Sequence, residues 1–264
     1  MSRLQTVARI YREEGAISLG KTSCKYVFNM TVGRAFYYLR VPTKAVSIKL
    51  GRLISYDEAI TRRFHRIYYG SSGTTHEDTY WLGVPALKCP LDLWIYQEII
   101  FALKPDAIVE CGTRFGGSAL FMASILDVLG VGEVITVDIE DVKGKPQHRR
   151  VRYLIGSSTS EDTVEHISKL VDGKQTVIVL LDSDHHKEHV LKELRIYSRF
   201  VTKGSYLIVE DTNINGHPVL QEFGVGPMEA VAQFLKENGD FAVDKSKEKY
   251  YLTYNPKGYL LRIR

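Results

Sequence analysis

Two strongly apolar strands in the C-terminal half of the chain each end in acidic residues. The first strand reads VIVLL and is followed by Asp182 and Asp184, and the second reads YLIV and is followed by Glu210 and Asp211. Uniformly apolar strands are typical of a parallel sheet that is covered on both faces. In such a sheet, ligands bind outside the carboxyl ends of the strands. We therefore expect these carboxylates, with His185 between them, to surround a ligand.

The sequence around these strands alternates between apolar runs and helical patterns. Strand-like runs stand at residues 107–111, 133–138, 151–156, 177–182, 206–211, 241–244 and 258–263, and helical patterns at 90–104, 116–130, 158–171, 185–199 and 226–239. This alternation predicts an α/β fold with a doubly wound, seven-stranded and mostly parallel sheet. No clear helix joins the last two strands, which favours an antiparallel C-terminal hairpin.

The N-terminal segment is much more basic than the rest of the chain. Residues 1–70 carry 13 Lys/Arg against 4 Asp/Glu, and the remainder carries 22 against 27. The polar stretch GSSGTTHEDT marks a boundary, so we predict a basic helical extension over 1–69 and a main domain over 70–264. The extension is either a helical cap, packed on the main domain or on another subunit of a homo-oligomer, or an interfacial helix on an anionic membrane.

Cysteine usage and hydropathy indicate the compartment. Cys24, Cys89 and Cys111 are widely spaced with no CxxC pair, which is typical of a reducing environment. The first residues lack the apolar segment of a secretory signal, and no apolar run reaches the about 18 residues that a membrane-spanning helix needs. We expect a cytoplasmic protein, with any membrane contact peripheral and at the inner face, and no nucleic-acid partner.

A glycine-rich turn, ECGTRFGGS, follows the first strand of the main domain. Gly112 allows a tight turn, and Gly116 and Gly117 let a ligand approach the start of a helix. Asp138 ends the next strand, where an acid can accept hydrogen bonds from ribose hydroxyls. The turn either binds a nucleoside-containing ligand, which we favour, or serves only as a structural connection.

Glu110, just before this turn, bears on the class of cofactor. A pyrophosphate such as that of NAD needs free backbone N–H groups and often a basic partner. S-adenosylmethionine carries a sulfonium and an amino-acid tail, and an acidic strand end suits its positive charge better. Glu110 therefore favours S-adenosylmethionine over NAD.

Taken together, these motifs resemble a known family. The E-x-G-x-x-x-G-G-S turn, Asp138, the D-x-x-H from Asp182 to His185, and the pair Glu210 and Asp211 are similar to class I S-adenosylmethionine methyltransferases of the cephalosporin hydroxylase family, which includes rhamnosyl and macrolide-sugar O-methyltransferases. The resemblance implies a Rossmann-like class I fold and methylation of a hydroxyl on a sugar or glycoconjugate, such as a glycolipid, polysaccharide or natural-product glycoside. The alternatives are a nucleotide-dependent oxidoreductase or hydroxylase, which the family's name suggests, and a non-catalytic partner protein.

The resemblance also implies site residues. The cofactor would be bound by Glu110, Gly112, Thr113, Gly116, Gly117, Ser118, Asp138, Ser157, Ser158 and Asp182. Magnesium would be held by Asp182, Glu210 and Asp211, whose hard oxygen ligands suit this ion. His185 would be the base that removes the proton of the acceptor hydroxyl, and Asp182 would share in catalysis.

The residues that follow Asp182 leave alternatives open. His186 or His189 could stand closer to the reacting hydroxyl than His185, and His185 and His189 have the spacing of a zinc pair, although no third soft ligand is evident. Asp184 is predicted to be the N-cap of the following helix, with metal ligation or a hydrogen bond to His185 as alternatives.

The segment NINGHPVLQEFGVGP follows the second acidic strand end and carries His217. Long loops at a ligand-binding edge are often lids. The alternative is an ordered connection packed on the sheet.

Overall fold

The computed structural model of the protein describes residues 56–70 and 77–264. The chain divides between Glu58 and Ala59 into two units, and the second unit contains almost all of the described residues. Most of the predicted basic extension, together with Cys24 and part of the predicted boundary loop, lies outside the described residues. The predicted boundary between residues 69 and 70 therefore stays a prediction.

Helices and short strands alternate along the described residues. The helices are α1 (Tyr56–Gly70), α2 (Pro90–Leu103), α3 (Gly117–Leu129), α4 (Glu161–Val171), α5 (Lys187–Tyr197) and α6 (Pro227–Glu237), with 3-10 turns at Ser198–Phe200 and Lys245–Glu248. A small antiparallel hairpin of β1 (Tyr80–Trp81) and β2 (Val84–Pro85) precedes the main sheet.

Within the described residues the main sheet has seven strands, as predicted. They are β3 (Ala107–Cys111), β4 (Glu133–Asp138), β5 (Val151–Ile155), β6 (Val177–Leu181), β7 (Tyr206–Val209), β8 (Phe241–Val243) and β9 (Tyr259–Arg262), in the spatial order β5–β4–β3–β6–β7–β9–β8. Strands β3 to β7 pair in parallel, and β9 runs antiparallel to both β7 and β8. The predicted α/β fold with an antiparallel C-terminal hairpin is confirmed.

Each face of the sheet is buried by a layer of helices, because successive side chains of a strand point to opposite faces. On β3, Val109 and Cys111 pack into the core that α4, α5 and α6 cover. Ile108 points the other way, into the core under α2 and α3. All three side chains are fully buried, and truncating a residue such as Ile108 to Ala typically costs about 2–5 kcal/mol.

Helix α1 packs on the C-terminal part of the same unit. The Asn213 amide donates to His65 Nε2 over 3.0 Å, and Arg66 Nε donates to the carbonyl oxygen of Pro218 over 3.1 Å. The rings of His65 and Tyr254 are stacked with their centroids 5.8 Å apart. None of the helices that the structure describes has both the length and the apolar character needed to cross a membrane.

Candidate active site

A pocket of about 710 Å³ opens at the carboxyl ends of the central strands, where a doubly wound sheet binds its ligands. Ten of the predicted site residues line it: Gly112, Thr113, Gly117, Ser118, Asp138, Ser157, Ser158, Asp182, His185 and Asp211. Glu110, Gly116 and Glu210 do not line it. The structure therefore brings most of the predicted residues to one pocket and leaves three of them outside its lining.

Two glycines of the predicted turn are required by close backbone contacts. Gly112 has a φ of +101°, and a Cβ atom added to it would lie 2.0 Å from the carbonyl oxygen of Asp182. A Cβ atom on Gly117 would lie 2.2 Å from the carbonyl oxygen of Pro85. A side chain at either position would thus displace the backbone that forms the pocket wall. Gly116 is the N-cap of α3 with a φ of 80°, so its role here is in the turn.

Asp138 is held in place by the backbone at the end of β4. Its Oδ2 accepts the N–H of Arg114 over 2.7 Å, and its Oδ1 accepts the N–H of Glu140 over 2.9 Å. Each carboxylate oxygen retains a further lone pair. Asp138 therefore presents an oriented acceptor to the pocket, as the recognition of ribose hydroxyls requires.

Glu110 lies beneath the pocket wall. It is fully buried and accepts hydrogen bonds from Ser118 Oγ at 2.5 Å and Thr136 Oγ1 at 2.6 Å. Burial raises the pKa of this carboxyl group, against the opposing effect of Lys88 and the two hydroxyl donors. In the described structure Glu110 fixes Ser118, which lines the pocket, and does not itself line it.

Three predicted catalytic or metal-binding residues converge at the ends of β6 and β7. Asp182, His185 and Asp211 each offer a ligand atom, and these atoms lie within 4.8 Å of one another. Glu210 is buried, and its Oε1 has no hydrogen-bond partner among the described residues. Glu210, the third predicted metal ligand, is not part of this cluster, but carboxylate oxygens at the spacing of Asp182 and Asp211 fit a hard divalent cation such as Mg²⁺.

The sequence analysis did not single out Lys88, which lies inside this acidic edge. Its Nζ contacts Asp182 Oδ2 and stands 2.7 Å from Glu210 Oε2, and its side chain is only 4% exposed. Burial alone lowers the pKa of Lys88, but the charges of Asp182, Glu210 and Glu110 outweigh burial and hold that pKa above its ordinary value. In the sequence, the only hint is a lysine set among apolar residues in the segment KCPLD.

The three histidines of the predicted loop separate into different environments. His185 Nε2 lies 3.3 Å from Asp211 Oδ2. His186 is exposed, with its Nδ1 2.6 Å from Asp184 Oδ1. His189 Nε2 lies 3.2 Å from Ser158 Oγ and 3.3 Å from Glu193 Oε1. Of the three histidines, only His185 belongs to the cluster with Asp182 and Asp211 that could bind a metal ion. His189 lies outside this cluster.

The prediction that Asp184 caps the next helix is wrong. Helix α5 begins at Lys187, with His186 as its N-cap. Asp184 Oδ1 instead accepts the backbone N–H of His186 over 2.8 Å. A short polar side chain that binds the backbone two residues later stabilises a turn before the helix.

A buried polar network supports the serine loop that walls the pocket. Tyr197 donates its hydroxyl hydrogen to the carbonyl oxygen of Ser158 over 2.7 Å. Ser183 Oγ donates to Glu193 Oε1 over 2.6 Å, and the same carboxylate oxygen lies 3.3 Å from His189 Nε2. The network therefore connects α5 to the loop after β5 and fixes the position of Ser158.

The segment after Asp211 forms an ordered connection anchored by Glu229 of α6. Glu229 Oε1 lies 2.8 Å from His217 Nε2 and accepts from Asn215 Nδ2 over 3.2 Å, and its Oε2 accepts from the N–H of Gly226 over 2.7 Å. None of these four residues lines the described pocket. The structure favours the ordered connection over the lid.

The strand order, the antiparallel C-terminal pair and the pocket at the strand ends define a Rossmann-like methyltransferase fold. Solved structures share it: an apo form of CmcI matches with a TM-score of 0.57 and 21% identity over 71% of this chain and 77% of CmcI. An Mg-SAM form of CmcI matches with a TM-score of 0.57 and 20% identity over 75% and 84% of the two chains.

Sequence comparison gives the family. The family model described as Rhamnosyl O-methyltransferase/CmcI matches residues 74–263. A rhamnosyl O-methyltransferase of Mycobacterium leprae is 38% identical over 213 residues, which cover 78% of this chain and 91% of the relative. Another, from Mycobacterium tuberculosis, is 39% identical over 214 residues, or 78% and 86% of the two chains. The chain belongs to the rhamnosyl O-methyltransferase/CmcI family, and the predicted O-methyltransferase class is confirmed.

Proposed function

We propose that the protein transfers the methyl group of S-adenosylmethionine to a hydroxyl of a sugar, in a reaction that requires Mg²⁺. The observation that carries this proposal is the convergence of Asp182, His185 and Asp211 on the wall of a pocket that also contains Asp138 and the glycine turn. A nucleoside site and a polar reaction site thus share one cavity. The rhamnosyl O-methyltransferases among its relatives support a deoxysugar within a glycoconjugate as the acceptor.

The cofactor site follows from the pocket wall. Asp138 would accept the ribose hydroxyls, and the bare backbone at Gly112 and Gly117 would let the cofactor approach β3 and α3. Ser157 and Ser158 would border the adenine. This arrangement would place the sulfonium and its methyl group towards Asp182, at the end of β6.

Asp182 and Asp211 would hold the metal, with the open Oε1 of Glu210 as a further ligand. Bound Mg²⁺ supplies Lewis-acid polarisation, which lowers the pKa of a hydroxyl group that it coordinates. His185 would accept the acceptor's hydroxyl proton on its imidazole ring. Asp211, whose Oδ2 lies 3.3 Å from His185 Nε2, would stabilise the resulting imidazolium. The pocket would hold the acceptor oxygen in line with the methyl group.

The basic extension is proposed to be a helical cap that packs on the main domain or on another subunit of a homo-oligomer, with an anionic membrane surface as the alternative partner. The excess of Lys/Arg in residues 1–70 supports the membrane. Ile60, Phe64 and Ile67 are exposed along one side of α1, which suits either partner. A chain lacking residues 1–55 should lose sedimentation with anionic vesicles if the extension binds a membrane. It should change from an oligomer to a monomer in light scattering if the extension joins subunits, and it should lose solubility if the extension caps the main domain.

The catalytic proposal is tested by methyl transfer to a rhamnoside, with and without EDTA. We expect activity that EDTA removes and added Mg²⁺ restores. Asp182→Ala should abolish metal-dependent turnover while S-adenosylhomocysteine still binds in titration calorimetry. Asp141→Ala, at an exposed aspartate that pairs with Lys145, is the matched control and should stay active.

Each part of the proposal has its own contrary outcome. Turnover that EDTA does not reduce would contradict the Mg²⁺ requirement. Failure to bind S-adenosylhomocysteine would contradict S-adenosylmethionine as the methyl donor. A thermal shift with NADH but none with S-adenosylhomocysteine would favour the oxidoreductase alternative instead.

A further inference from the structure

The acidic edge contains a fixed positive charge at the place where a metal ion would bind. The Lys88 ammonium contacts Asp182 Oδ2 and lies 2.7 Å from Glu210 Oε2. Both carboxylates belong to the predicted metal site. Within residues 56–70 and 77–264, Lys88 is the only basic group that forms an ion pair with either of them.

The fold holds this lysine in place from the backbone outwards. The Lys88 N–H donates to Thr79 Oγ1 over 3.1 Å, and the Ala86 N–H donates to the carbonyl oxygen of Thr79 over 2.8 Å. The next residue, Cys89, is the N-cap of α2. The lysine therefore enters the site from the segment between β2 and α2, which follows Pro85 and includes Leu87, two residues that line the pocket.

Burial leaves the ammonium few alternatives to these carboxylates. The Lys88 side chain is 4% exposed and that of Glu210 5% exposed. A buried charge without a partner is strongly unfavourable, so the lysine and the acids stabilise one another. A divalent cation at Asp182 would lie close to this ammonium and would be repelled by it.

We propose that Lys88 is the internal counter-ion of the metal site, neutralising Asp182 and Glu210 in the metal-free protein and limiting the affinity of these acids for the divalent cation. The inference rests on the proposed metal dependence and assigns a role to a residue outside the predicted ligand set. Lys88 is a positioning residue and not a ligand, because it acts through its ion pairs with the two carboxylates and through its positive charge.

Two measurable consequences distinguish this role from ordinary packing. Loss of the lysine charge should strengthen metal binding, because a like charge is removed from the site. It should also make folding depend on metal, because the cation then becomes the partner of the buried acids. A residue that only fills space would change stability without improving metal affinity.

The test measures Mg²⁺ affinity by titration calorimetry, and thermal unfolding with and without EDTA, on the full chain. The variants are Lys88→Met, Lys88→Gln and Lys88→Arg. Lys88→Gln keeps a hydrogen-bond donor and serves as the neutral variant if Lys88→Met does not fold, and Lys88→Arg keeps the charge. Lys249→Met is the matched control, because Lys249 pairs with Glu98 on the surface, with 2.5 Å between Nζ and Oε2.

We expect the two neutral variants to bind Mg²⁺ at least about tenfold more tightly than the wild type. The charge-conserving variant Lys88→Arg and the control Lys249→Met should leave the affinity within about threefold of the wild-type value, since both keep the positive charge at the acidic edge. The melting temperature of the neutral variants should fall in EDTA and rise with Mg²⁺ by more than that of the wild type.

Two contrary results are distinguishable. If the wild type binds Mg²⁺ and the neutral variants bind it equally or more weakly, the counter-ion role is overturned while the proposed function stands. If neither the wild type nor any variant binds Mg²⁺, the proposed metal dependence fails, and the counter-ion role fails with it.

Discussion

His185 and Asp211 face each other across the ends of two adjacent strands, with 3.3 Å between Nε2 and Oδ2. His185 follows β6 and Asp211 follows β7, so the sheet itself sets their separation. Because both side chains also belong to the cluster with Asp182, His185 has two available roles. It is either a metal ligand or a base that acts beside the metal.

Replacing His185 with alanine distinguishes these roles. We expect kcat to fall by about 10²–10⁴-fold, as for the loss of a general base, while affinity for S-adenosylhomocysteine is unchanged. For a base, Mg²⁺ affinity in titration calorimetry should stay near the wild-type value, whereas the loss of a ligand would weaken it. His186→Ala, at the exposed neighbour, is the control and should retain turnover. Wild-type turnover in His185→Ala would exclude both roles.

Gly112→Ala should disrupt both the fold and the cofactor site. The new methyl group would meet the carbonyl oxygen of Asp182 at 2.0 Å, at a φ of +101°, so the backbone must move. We expect the free energy of unfolding, measured with urea, to fall by about 3 kcal/mol or more, and the affinity for S-adenosylhomocysteine to weaken.

The control for this change is Gly130→Ala. Gly130 also has a positive φ, +73°, but nothing lies within 4 Å of its added Cβ atom. The free energy of unfolding of Gly130→Ala should therefore fall by only about 1–2 kcal/mol, from backbone strain. Equal losses in the two variants would show that the contact with Asp182 is unimportant.

The fold was predictable because its signals are local. The apolar runs VIVLL and AIVEC coincide with β6 and β3, since a strand covered on both faces needs apolar residues throughout. Helix ends were less well predicted. Helix α5 was expected from residue 185 but begins at Lys187, because the Asp184 side chain stabilises a turn that hydropathy does not reveal.

The site was predictable where topology alone brings residues together. Asp182, His185 and Asp211 all follow parallel strands, whose carboxyl ends must share one edge. Lys88 was not predicted, because its contact with Asp182 joins positions 94 residues apart and depends on how the segment before α2 folds back. The role of Glu110 in cofactor binding stays a prediction, and the sequence did not reveal that its carboxylate accepts hydrogen bonds from Ser118 and Thr136.

Asp138→Asn should weaken cofactor binding without unfolding the protein. A hydrogen bond to a charged acceptor contributes about 1.5–3 kcal/mol, so we expect the Kd for S-adenosylhomocysteine to rise by about tenfold to a hundredfold. Calorimetric titration measures this change. The control is Asp141→Asn, which removes the charge of an exposed side chain three residues after Asp138. This change should leave the Kd unaltered. An unaltered Kd in Asp138→Asn would show that Asp138 does not bind the ribose hydroxyls.

The contact between α1 and the domain should weaken in mild acid. Burial lowers the pKa of His65 to about 4, from an ordinary value of 6.5. Between these two values the unfolded chain binds the proton more readily than the folded protein, so stability falls as the pH drops. Protonation would also place an N–H opposite the Asn213 amide, which donates to His65 Nε2.

His65→Phe isolates this effect, because phenylalanine can stack on Tyr254 as His65 does but does not titrate. From the two pKa values, the free energy of unfolding of the wild type should fall by about 2 kcal/mol more than that of the variant between pH 7.5 and pH 5. Urea unfolding at the two pH values measures the difference. The variant should be less stable at pH 7.5, since the Asn213 amide loses its acceptor. If wild type and variant lost the same stability on acidification, His65 would not be the titrating group, because every other ionisable side chain is common to both proteins.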